Sequence, residues 1–393
     1  MKKTINDIDV AGKRVLLRVD FNVPLDDNGN IQDASRITAE LPTIKNLISR
    51  GAKLIICSHL GRPKGEPNPK MSLLAVAKYL VGVVNAKVKF SPNAIGDNAK
   101  QLASELNNGE ILVLENIRFY KEEEQNDPIF ASRLAELADI YVDDAFGTAH
   151  RKHASNFGVA KLLPNAVGLL MGKEINTITS ALENPERPFV AVLGGAKVSD
   201  KLAVVANLLE KCDKILIGGG MAYTFLKAKG NKIGKSLYEE SVLETAKEIL
   251  VKAEQKGVEI VLPVDHMCSE IFSPTGHVVK ISNVDIPADL MGMDIGAKTA
   301  KLYAKTLKTA KTIIWNGPMG VFEFENFKKG TKTVAKAVAK NKGKTIVGGG
   351  DSLSAIAELK LTEKIYHVST GGGASMQLIG GEPLPGVDVI SEK

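Results

Sequence analysis

The chain has 393 residues, of which 44% are hydrophobic and 24% are charged, and its formal net charge is +6. This composition excludes the disordered, collagen-like and membrane-spanning classes and predicts a globular protein of two domains. No hydrophobic run approaches the ~18 residues that a membrane helix needs, and the first residues lead into no signal core. We therefore expect a cytoplasmic protein without a membrane partner, and a charge this modest does not indicate a nucleic acid partner.

Short hydrophobic runs alternate with amphipathic helical patterns along the whole chain. In the first half they lie at residues 15–19, 54–56, 111–114 and 140–142. In the second half they lie at residues 189–193, 215–217, 258–262, 313–315 and 346–347. Such strands, separated by amphipathic helices, are typical of parallel sheets covered on both sides. The pattern predicts an α/β protein with two doubly wound parallel sheets, connected by the helix-like segment 168–187.

Glycine clusters follow the predicted strands of the second half, at the strand ends where doubly wound sheets bind ligands. They lie at residues 194–195, 218–220, 317, 348–350 and 371–373. Glycine lets the backbone approach a ligand and point its N–H groups at it, and a helix N-terminus adds partial positive charge. A single glycine pair is more often a tight turn without a ligand. Five clusters in one half favour a phosphate-rich ligand.

Two familiar nucleotide-binding motifs are absent. The dinucleotide fingerprint GxGxxG fails at each glycine triplet, because its last position holds Tyr223, Leu353 or Met376. Two segments approach the P-loop pattern GxxxxGK[ST] without matching it. Segment 230–236 is one residue short, and the segment that ends in Gly343-Lys344-Thr345 has Val338 in place of the first glycine. Protein-kinase signatures are missing too. These absences disfavour a nicotinamide-dependent oxidoreductase and leave the phosphate ligand to be identified from other residues.

Three charged residues of the second half stand beside these glycines. Asp351 follows the triplet at 348–350 at a predicted helix start, where a carboxylate can either cap its own helix or hold a Mg²⁺ that bridges nucleotide oxygens. Lys197 and Lys201 are four residues apart, which places them on one helical face if the helix has begun there. Such a pair is either a solvated face or, directly after a buried strand, a phosphate contact; we favour the phosphate contact.

Arginines mark the corresponding strand ends of the first half. Arg62, Arg118 and Arg151 each follow a predicted strand, and Arg36 opens the first helix. All nine arginines of the chain lie in the first half, while the lysines are spread throughout. Because the planar guanidinium group binds carboxylates and phosphates bidentately, these positions favour a multiply anionic ligand. His59 is an anion contact or a packed ring, since no second histidine stands at metal-ligand spacing.

Eight motifs occur in an order and at spacings that resemble one enzyme family. They are RVDFNVPL, SHLGRPKG, LENIRF and DDAFGTAHR in the first half and LGGAKVSDK, WNGPMGVFE, GGGDS and STGGGAS in the second. Over essentially its whole length, the chain resembles phosphoglycerate kinase. It departs from the family pattern at Lys152, where alanine is frequent, and at Ala297, where proline is usual and which lies near the expected nucleoside pocket.

The resemblance implies reversible phosphoryl transfer between ATP and the carboxylate of 3-phosphoglycerate, which gives 1,3-bisphosphoglycerate and ADP and uses Mg²⁺. The residues that it implies for substrate binding are Asp20, Phe21, Asn22, Arg36, His59, Leu60, Gly61, Arg62, Arg118 and Arg151. Those that it implies for nucleotide binding are Lys201, Gly292, Glu323, Gly349, Gly350, Asp351 and Ser352, with Asp351 on the metal. The catalytic residues that it implies are Arg36, Lys197, Lys201, Gly371 and Gly372.

The same resemblance implies a domain organisation. An N-terminal substrate domain is expected at residues 1–170, a connecting helix or hinge at 171–187, and a nucleotide domain at 188–375. The tail at 376–393 is expected to pack back on the first domain. Because each ligand belongs to a different domain, the domains must close across a cleft to align the ligands and exclude water.

Two further expectations concern mechanism and assembly. The acceptor carboxylate is already ionised at pH 7, so the reaction needs positioning and charge stabilisation rather than a general base. We expect a monomer, because the sequence shows no exposed hydrophobic stripe that would indicate an obligate partner. The alternatives are a nicotinamide-dependent oxidoreductase and a protein that binds a nucleotide without turnover.

Overall fold

A computed structural model describes all residues from 1 to 393, and they divide into two compact units. The N-terminal unit contains Met1–Asn176 and the final segment Pro383–Lys393, and the C-terminal unit contains Thr177–Glu382. Residues 376–382 thus belong to the C-terminal unit, and only the segment after them belongs with the beginning of the chain. None of the helices has both the length and the apolar character that a bilayer crossing requires.

A parallel sheet of six strands forms the centre of the N-terminal unit. Its strands are β1 (Arg14–Arg18), β2 (Lys53–Cys57), β3 (Val88–Phe90), β4 (Ile111–Val113), β5 (Ile140–Asp143) and β6 (Asn165–Val167). The helices are α1 (Ser35–Ser49), α2 (Leu74–Val83), α3 (Asp97–Ser104), α4 (Lys121–Glu124) and α5 (Pro128–Ala135). The strand order is β3-β4-β2-β1-β5-β6, so the loops that follow these parallel strands lie at one edge of the sheet.

Helix α1 illustrates how the sequence builds the core of this unit. Ile37, Ile44 and Leu47 recur at helical spacing and are fully buried in the core cluster that includes the sheet. Burial of a side chain of this size contributes roughly 1.5–3 kcal/mol to stability. Because these contacts fix the helix along its length, they also fix Arg36, which lies in its first turn.

A second parallel sheet of six strands forms the centre of the C-terminal unit. Helix α6 (Leu169–Glu183) contains the boundary between the units. The six strands are β7 (Phe189–Leu193), β8 (Lys214–Ile217), β9 (Glu259–Val261), β13 (Thr312–Asn316), β14 (Lys344–Gly348) and β15 (His367–Val368). Their order is β15-β14-β13-β7-β8-β9. A separate antiparallel sheet contains β10 (His266–Ser269), β11 (Val279–Ile281) and β12 (Met291–Ile295).

Helices accompany the strands of this second unit. They are α7 (Leu202–Leu209), α8 (Met221–Ala228), α9 (Leu243–Lys256), α10 (Ala297–Thr309), α11 (Lys329–Lys340), α12 (Gly350–Glu358) and α13 (Gly373–Ile379). The last helix of the chain, α14 (Pro385–Asp388), belongs to the N-terminal unit. The parallel strands again place the loops that follow them at one edge of the sheet.

The predicted α/β fold with two parallel sheets is confirmed. The prediction missed β3, β6, β15 and the small antiparallel sheet. Strand β3 has no fully buried side chain, and β15 is only two residues long. Short or half-exposed strands leave no continuous hydrophobic run, so the sequence pattern does not show them.

Candidate active site

Loops after β1, β2 and β4 are hydrogen-bonded to one another in the N-terminal unit. The backbone N–H of Gly61 donates to Asn22 Oδ1 at 2.8 Å, and Arg118 Nη1 donates to the carbonyl oxygen of Gly61 at 3.1 Å. These contacts bring together predicted site residues from three separate segments. We define the arginine edge as residues 20–22, 59–62, Arg36, Arg118 and Arg151.

Asp20 links two of the predicted ligand-binding side chains. Arg36 Nη1 donates to Asp20 Oδ2 at 2.5 Å, and His59 Nε2 lies 4.0 Å from Asp20 Oδ1. Burial raises the pKa of the Asp20 carboxyl, but the charges of Arg36 and Arg18 and the hydrogen bond from the N–H of Asn22 outweigh this effect and hold the pKa below its usual value. Asp20 is therefore ionised at neutral pH and orients Arg36. Because 41% of the Arg36 side chain is exposed, its other N–H groups are accessible to a ligand.

The other arginines of this edge carry positive charge that the protein neutralises only in part. Arg118 is 8% exposed, and its Nε lies 3.5 Å from Glu124 Oε1 without a hydrogen-bond partner. Burial lowers the pKa of Arg118, and the charge of Arg151 lowers it further. Arg62 and Arg151 are exposed. Since like charges repel, an anion bound among these groups would relieve an unfavourable interaction.

Phe21 and Leu60 are already engaged inside the N-terminal unit. Both side chains are buried in its hydrophobic core. The N–H of Phe21 donates to Ser58 Oγ at 2.9 Å, and the N–H of Leu60 donates to Asn116 Oδ1 at 3.2 Å. Their side chains and N–H groups therefore hold the loops of the arginine edge in place and are not directed at a ligand.

In the C-terminal unit, the turns after β13 and β14 are joined by side chains. Asn316 Nδ2 donates to the carbonyl oxygen of Gly348 at 3.0 Å, and the N–H of Gly317 donates to Ser352 Oγ at 2.7 Å. Gly349, which precedes α12, has a φ of +90°, a conformation that favours glycine. We define the glycine edge as residues 194–201, 316–317, 348–352 and 371–373.

Gly350 and Asp351 are the exposed residues at the start of α12. A Cβ atom added to Gly350 would meet nothing within 4 Å. Asp351 lies in the first turn of the helix and forms no hydrogen bond or ion pair with the protein. An unpaired carboxylate beside the free N–H groups of a helix start suits a Mg²⁺ ion that also binds phosphate oxygens.

Lys201 is held in the glycine edge by the turn after β13. Its Nζ donates to Asn316 Oδ1. Burial lowers the pKa of Lys201 to about 8, although Asp200 and Asp351 act to raise it. Lys201 is therefore mostly charged at pH 7 and lies close enough to Asp351 for the two charges to interact.

Lys197 occupies a different local structure from the one expected. The 3₁₀ turn Ser199–Lys201 precedes α7, so Lys197 lies outside the helix and is exposed. The helix has not begun at Lys197, so the condition for a shared helical face of the two lysines is not met. The carboxylate of Glu239 accepts hydrogen bonds from the N–H groups of Val198 at 2.7 Å and Ser199 at 3.0 Å, which holds this segment in a turn.

The last glycine cluster leads into α13. Gly372 has a φ of +50°, and a Cβ atom there would meet nothing within 4 Å. The N–H of Gly371 donates to Ser369 Oγ at 3.3 Å, which is a long hydrogen bond. Gly372 thus leaves open space beside the backbone, whereas the N–H of Gly371 is partly engaged.

Gly292 and Glu323 lie on neighbouring segments of the same unit. The N–H of Val321 donates to the carbonyl oxygen of Met293 at 2.7 Å, which places these segments side by side. A Cβ atom at Gly292 would lie 2.0 Å from Tyr223 Oη, so only glycine fits there. Glu323 is exposed. No hydrogen bond or ion pair joins either residue to the glycine edge, so their grouping with it stays a prediction.

Several known proteins that resemble the chain have the same name. A family model described as phosphoglycerate kinase matches residues 5–382. A phosphoglycerate kinase from Clostridium botulinum is 54% identical over 394 residues, which cover 100% of this chain and 99% of that protein. A second, from Koribacter versatilis, is 52% identical over 402 residues, which cover 100% of both. The chain belongs to the phosphoglycerate kinase family.

Solved structures of phosphoglycerate kinases share the fold. The structure from Coxiella burnetii has a TM-score of 0.89 at 40% identity, and the one from Pyrococcus horikoshii has a TM-score of 0.83 at 36% identity. Each match covers 99% of this chain and 98% of the other. The chain is thus a kinase, and the reaction of its family is the ATP-dependent phosphoryl transfer of glycolysis. An oxidoreductase and a non-catalytic nucleotide-binding protein are not favoured.

Sequence reasoning missed Arg18, which contacts the arginine edge from inside the N-terminal unit. Arg18 is 1% exposed in β1; its Nε donates to Ser155 Oγ at 2.8 Å, and its Nη2 lies 3.3 Å from His59 Nδ1. Nη1 donates to the carbonyl oxygen of Val19. An arginine within an otherwise hydrophobic strand, VLLRV, is the signal that could have revealed it, because a buried charge needs partners.

The two departures from the phosphoglycerate kinase pattern lie outside both edges. Lys152 is exposed, and its Nζ lies 5.5 Å from the ring centroid of Phe157. Ala297 is exposed at the first position of α10, where proline is also well suited because the first helical N–H has no partner within the helix.

Proposed function

We propose that the arginine edge binds 3-phosphoglycerate or 1,3-bisphosphoglycerate and that the glycine edge binds ATP or ADP with Mg²⁺. The phosphoryl group passes directly between the substrate carboxylate and the nucleotide. One observation carries this assignment: partly neutralised guanidinium groups gather at one sheet edge, and an unpaired carboxylate stands beside open glycine turns at another. The first is suited to a small polyanion, and the second to a metal-bound polyphosphate.

In the arginine edge, the guanidinium groups share the charge of the substrate. Arg62, Arg118 and Arg151 bind the phosphate of 3-phosphoglycerate, with His59 and Asn22 donating hydrogen bonds near them. Arg36, which Asp20 orients, reaches the transferring group and stabilises the charge on its equatorial oxygens. Burial lowers the pKa of His59 well below its usual value, and Arg18, Arg118 and Arg36 lower it further against the effect of Asp20. His59 is therefore neutral at pH 7 and acts as a hydrogen-bonding group.

In the glycine edge, backbone N–H groups and two lysines hold the polyphosphate. Gly349, Gly350 and Gly372 allow close approach of the backbone, and Ser352 fixes the turn. Lys201 and Lys197 contact the nucleotide phosphates and the transferring group. Asp351 would hold Mg²⁺, which when bound neutralises part of the phosphate charge. Gly292 and Glu323 complete the nucleoside pocket.

The chemistry requires no general base, because the substrate carboxylate is ionised at pH 7. It does require that water be excluded, since an acyl phosphate is hydrolysed by water. We therefore propose that the two units close on each other during turnover, with α6 as the hinge. The enzyme acts on small molecules as a cytoplasmic monomer, with neither nucleic acid nor membrane in its reaction.

The test is ADP formation from ATP in the presence and absence of 3-phosphoglycerate. We expect turnover only with 3-phosphoglycerate, whereas a nucleotide sensor would bind MgADP without turnover. In Asp351→Asn, the Mg²⁺ concentration needed for the half-maximal rate should rise at least about tenfold. Asp289→Asn, which changes an exposed aspartate of the same unit, should match the wild type. Absence of 3-phosphoglycerate-dependent turnover in the wild type would reject the proposal.

A further inference from the structure

The positive charge of the chain is concentrated in one segment, and all the lysines of this segment lie outside both edges. Residues 297–344, from the start of α10 to the start of β14, contain twelve lysines and two acidic residues, for a net charge of +10. The whole chain carries +6, so all other residues together carry −4. Helices α10 and α11 contain no acidic residue at all. This concentration of charge indicates a surface that attracts anions.

A groove runs along these two helices in the C-terminal unit. Its main cavity has a volume of about 900 Å³, and Ala304, Ala310 and Ala337 contribute methyl groups to its lining. A second cavity of about 500 Å³ shares Ala304 and Thr333 with the first and continues along the same helices. Small-molecule sites typically have volumes of about 300–1,000 Å³. We define the lysine groove as these two cavities with their rim lysines, which at the main cavity are Lys308, Lys311, Lys336, Lys340 and Lys342.

The lysines on this rim are not neutralised by the protein. All five are exposed, and none forms an ion pair or a hydrogen bond through its Nζ. By contrast, Lys328 and Lys332, at the opposite end of α11, pair with Glu325 and Glu358. The acidic residue in the lining of the main cavity, Glu186, already pairs with Lys344 at 3.3 Å. The groove thus presents unpaired positive charge above an apolar lining.

Helix electrostatics explain part of this arrangement but not all of it. Lys308 and Lys340 lie in the last turns of α10 and α11, where a cation stabilises the helix dipole. Lys311 and Lys342 lie beyond the helix ends, and Lys336 lies one turn earlier, so the dipole does not account for them. Nor does it account for a cavity lined by alanine methyl groups. A ligand that combines an apolar body with an anionic end satisfies both features.

We propose that the lysine groove binds an amphiphilic anion: an alkyl or acyl chain that ends in a carboxylate or phosphate ester. The chain lies along the alanine-lined seam between α10 and α11, and the headgroup lies among the lysines. None of the lining residues belongs to the arginine edge or the glycine edge. The main cavity is lined by no aromatic side chain on which bases could stack, so the groove is not suited to single-stranded nucleic acid.

The test is calorimetric titration with decyl phosphate below the concentration at which it forms micelles, in the presence and absence of MgATP. The double variant Lys336→Gln/Lys340→Gln should raise the dissociation constant for decyl phosphate at least about tenfold, because two charges are lost. Ala337→Phe, which narrows the groove without removing charge, should weaken decyl phosphate binding by a similar factor. Lys305→Gln is the matched control, since Lys305 is an exposed lysine of α10 outside the groove lining.

Comparison ligands separate the sources of binding. Inorganic phosphate and decanol should each bind at least about tenfold more weakly than decyl phosphate, because each lacks one of the two recognised parts. The proposal would be overturned if decyl phosphate did not bind, or if the double variant bound it as tightly as the wild type. It would also be overturned if inorganic phosphate bound as tightly as decyl phosphate, or if binding appeared only with phosphatidylglycerol vesicles. Turnover of the double variant should equal that of the wild type, so failure here is distinguishable from failure of the proposed function.

Discussion

The arginine edge presents mainly side chains to a ligand, whereas the glycine edge presents mainly backbone. In the arginine edge, side chains of Arg36, Arg118 and their neighbours carry the charge, and a buried layer that includes Arg18 holds them. In the glycine edge, the backbone itself is exposed at turns such as Gly349–Gly350, and Asp351 is the unpaired carboxylate. Loss of a charged side chain should therefore be severe in either edge, whereas addition of a single methyl group to a glycine should matter mainly in the second.

Arg36→Ala should give the largest effect. A guanidinium group that stabilises the transferring phosphoryl group accounts for roughly 10³–10⁵ in rate, so kcat should fall by about that factor. Stability should fall only modestly, by about 1–3 kcal/mol, because Arg36 is 41% exposed but its partner Asp20, which is 14% exposed, loses a hydrogen bond. Steady-state kinetics and thermal unfolding measure the two quantities.

The control for this variant is Arg133→Ala, which removes an exposed arginine of α5 outside the arginine edge. It should leave kcat unchanged. If Arg36→Ala instead lowered the melting temperature sharply and Arg133→Ala did not, Arg36 would be a structural residue and the comparison between the edges would fail.

If Lys201 contacts the nucleotide phosphates as proposed, the function of the glycine edge should depend on its charge. Because burial lowers its pKa to about 8, Lys201 loses its proton and its charge as the pH rises through 8. The value of kcat/KM for the nucleotide should therefore fall above about pH 8 in the wild type. In Lys201→Met the rate should be lower by several powers of ten, and the decline near pH 8 should be absent. An unchanged decline in that variant would assign it to another group.

Gly350→Ala tests the backbone character of the glycine edge. The added methyl group meets no protein atom within 4 Å, so the fold and the melting temperature should be preserved. If the nucleotide occupies that space, KM for MgATP should rise about tenfold, which corresponds to ~1.4 kcal/mol. Gly82→Ala, which also meets no atom but lies in α2 of the other unit, should leave KM unchanged. Equal KM values in both variants would mean that the backbone at Gly350 does not contact the nucleotide.

The sequence predicted the two parallel sheets and the strand ends at which the arginine and glycine loops gather. It could do so because strands buried on both faces are continuous hydrophobic runs, and parallel pairing places their ends together. It did not predict that Glu239 holds the segment of Lys197, because that contact joins residues about forty positions apart. It also missed Arg18, whose partners, His59 and Ser155, come from other segments of the unit. Contacts between distant segments have no local pattern.

The lysine groove is a second feature that the sequence alone does not reveal. Its lysines recur at helical spacing within each helix, but no local pattern shows that the two sets border one groove. The groove becomes visible when α10 and α11 pack side by side and place their alanines between two rows of lysines. Charge counts by segment would have found the +10 region, but not the cavity beneath it.

His59→Gln should have the smallest effect on the rate. It tests whether the guanidinium groups alone carry the positive charge of the arginine edge. Burial lowers the pKa of His59 well below 6.5, so the ring is neutral at pH 7 in the free protein, and glutamine can replace its hydrogen bonds. We expect kcat to change less than about tenfold. In the unfolded chain, His59 binds a proton near pH 6.5, whereas in the folded protein it does not. The contribution of His59 to the free energy of unfolding is therefore highest above about pH 6.5 and decreases as the pH falls below it. In the variant, the free energy of unfolding in urea should depend less on pH. An NMR titration of His59 with a midpoint near 6.5 would contradict this, because a charged imidazolium would then share the work of the arginines.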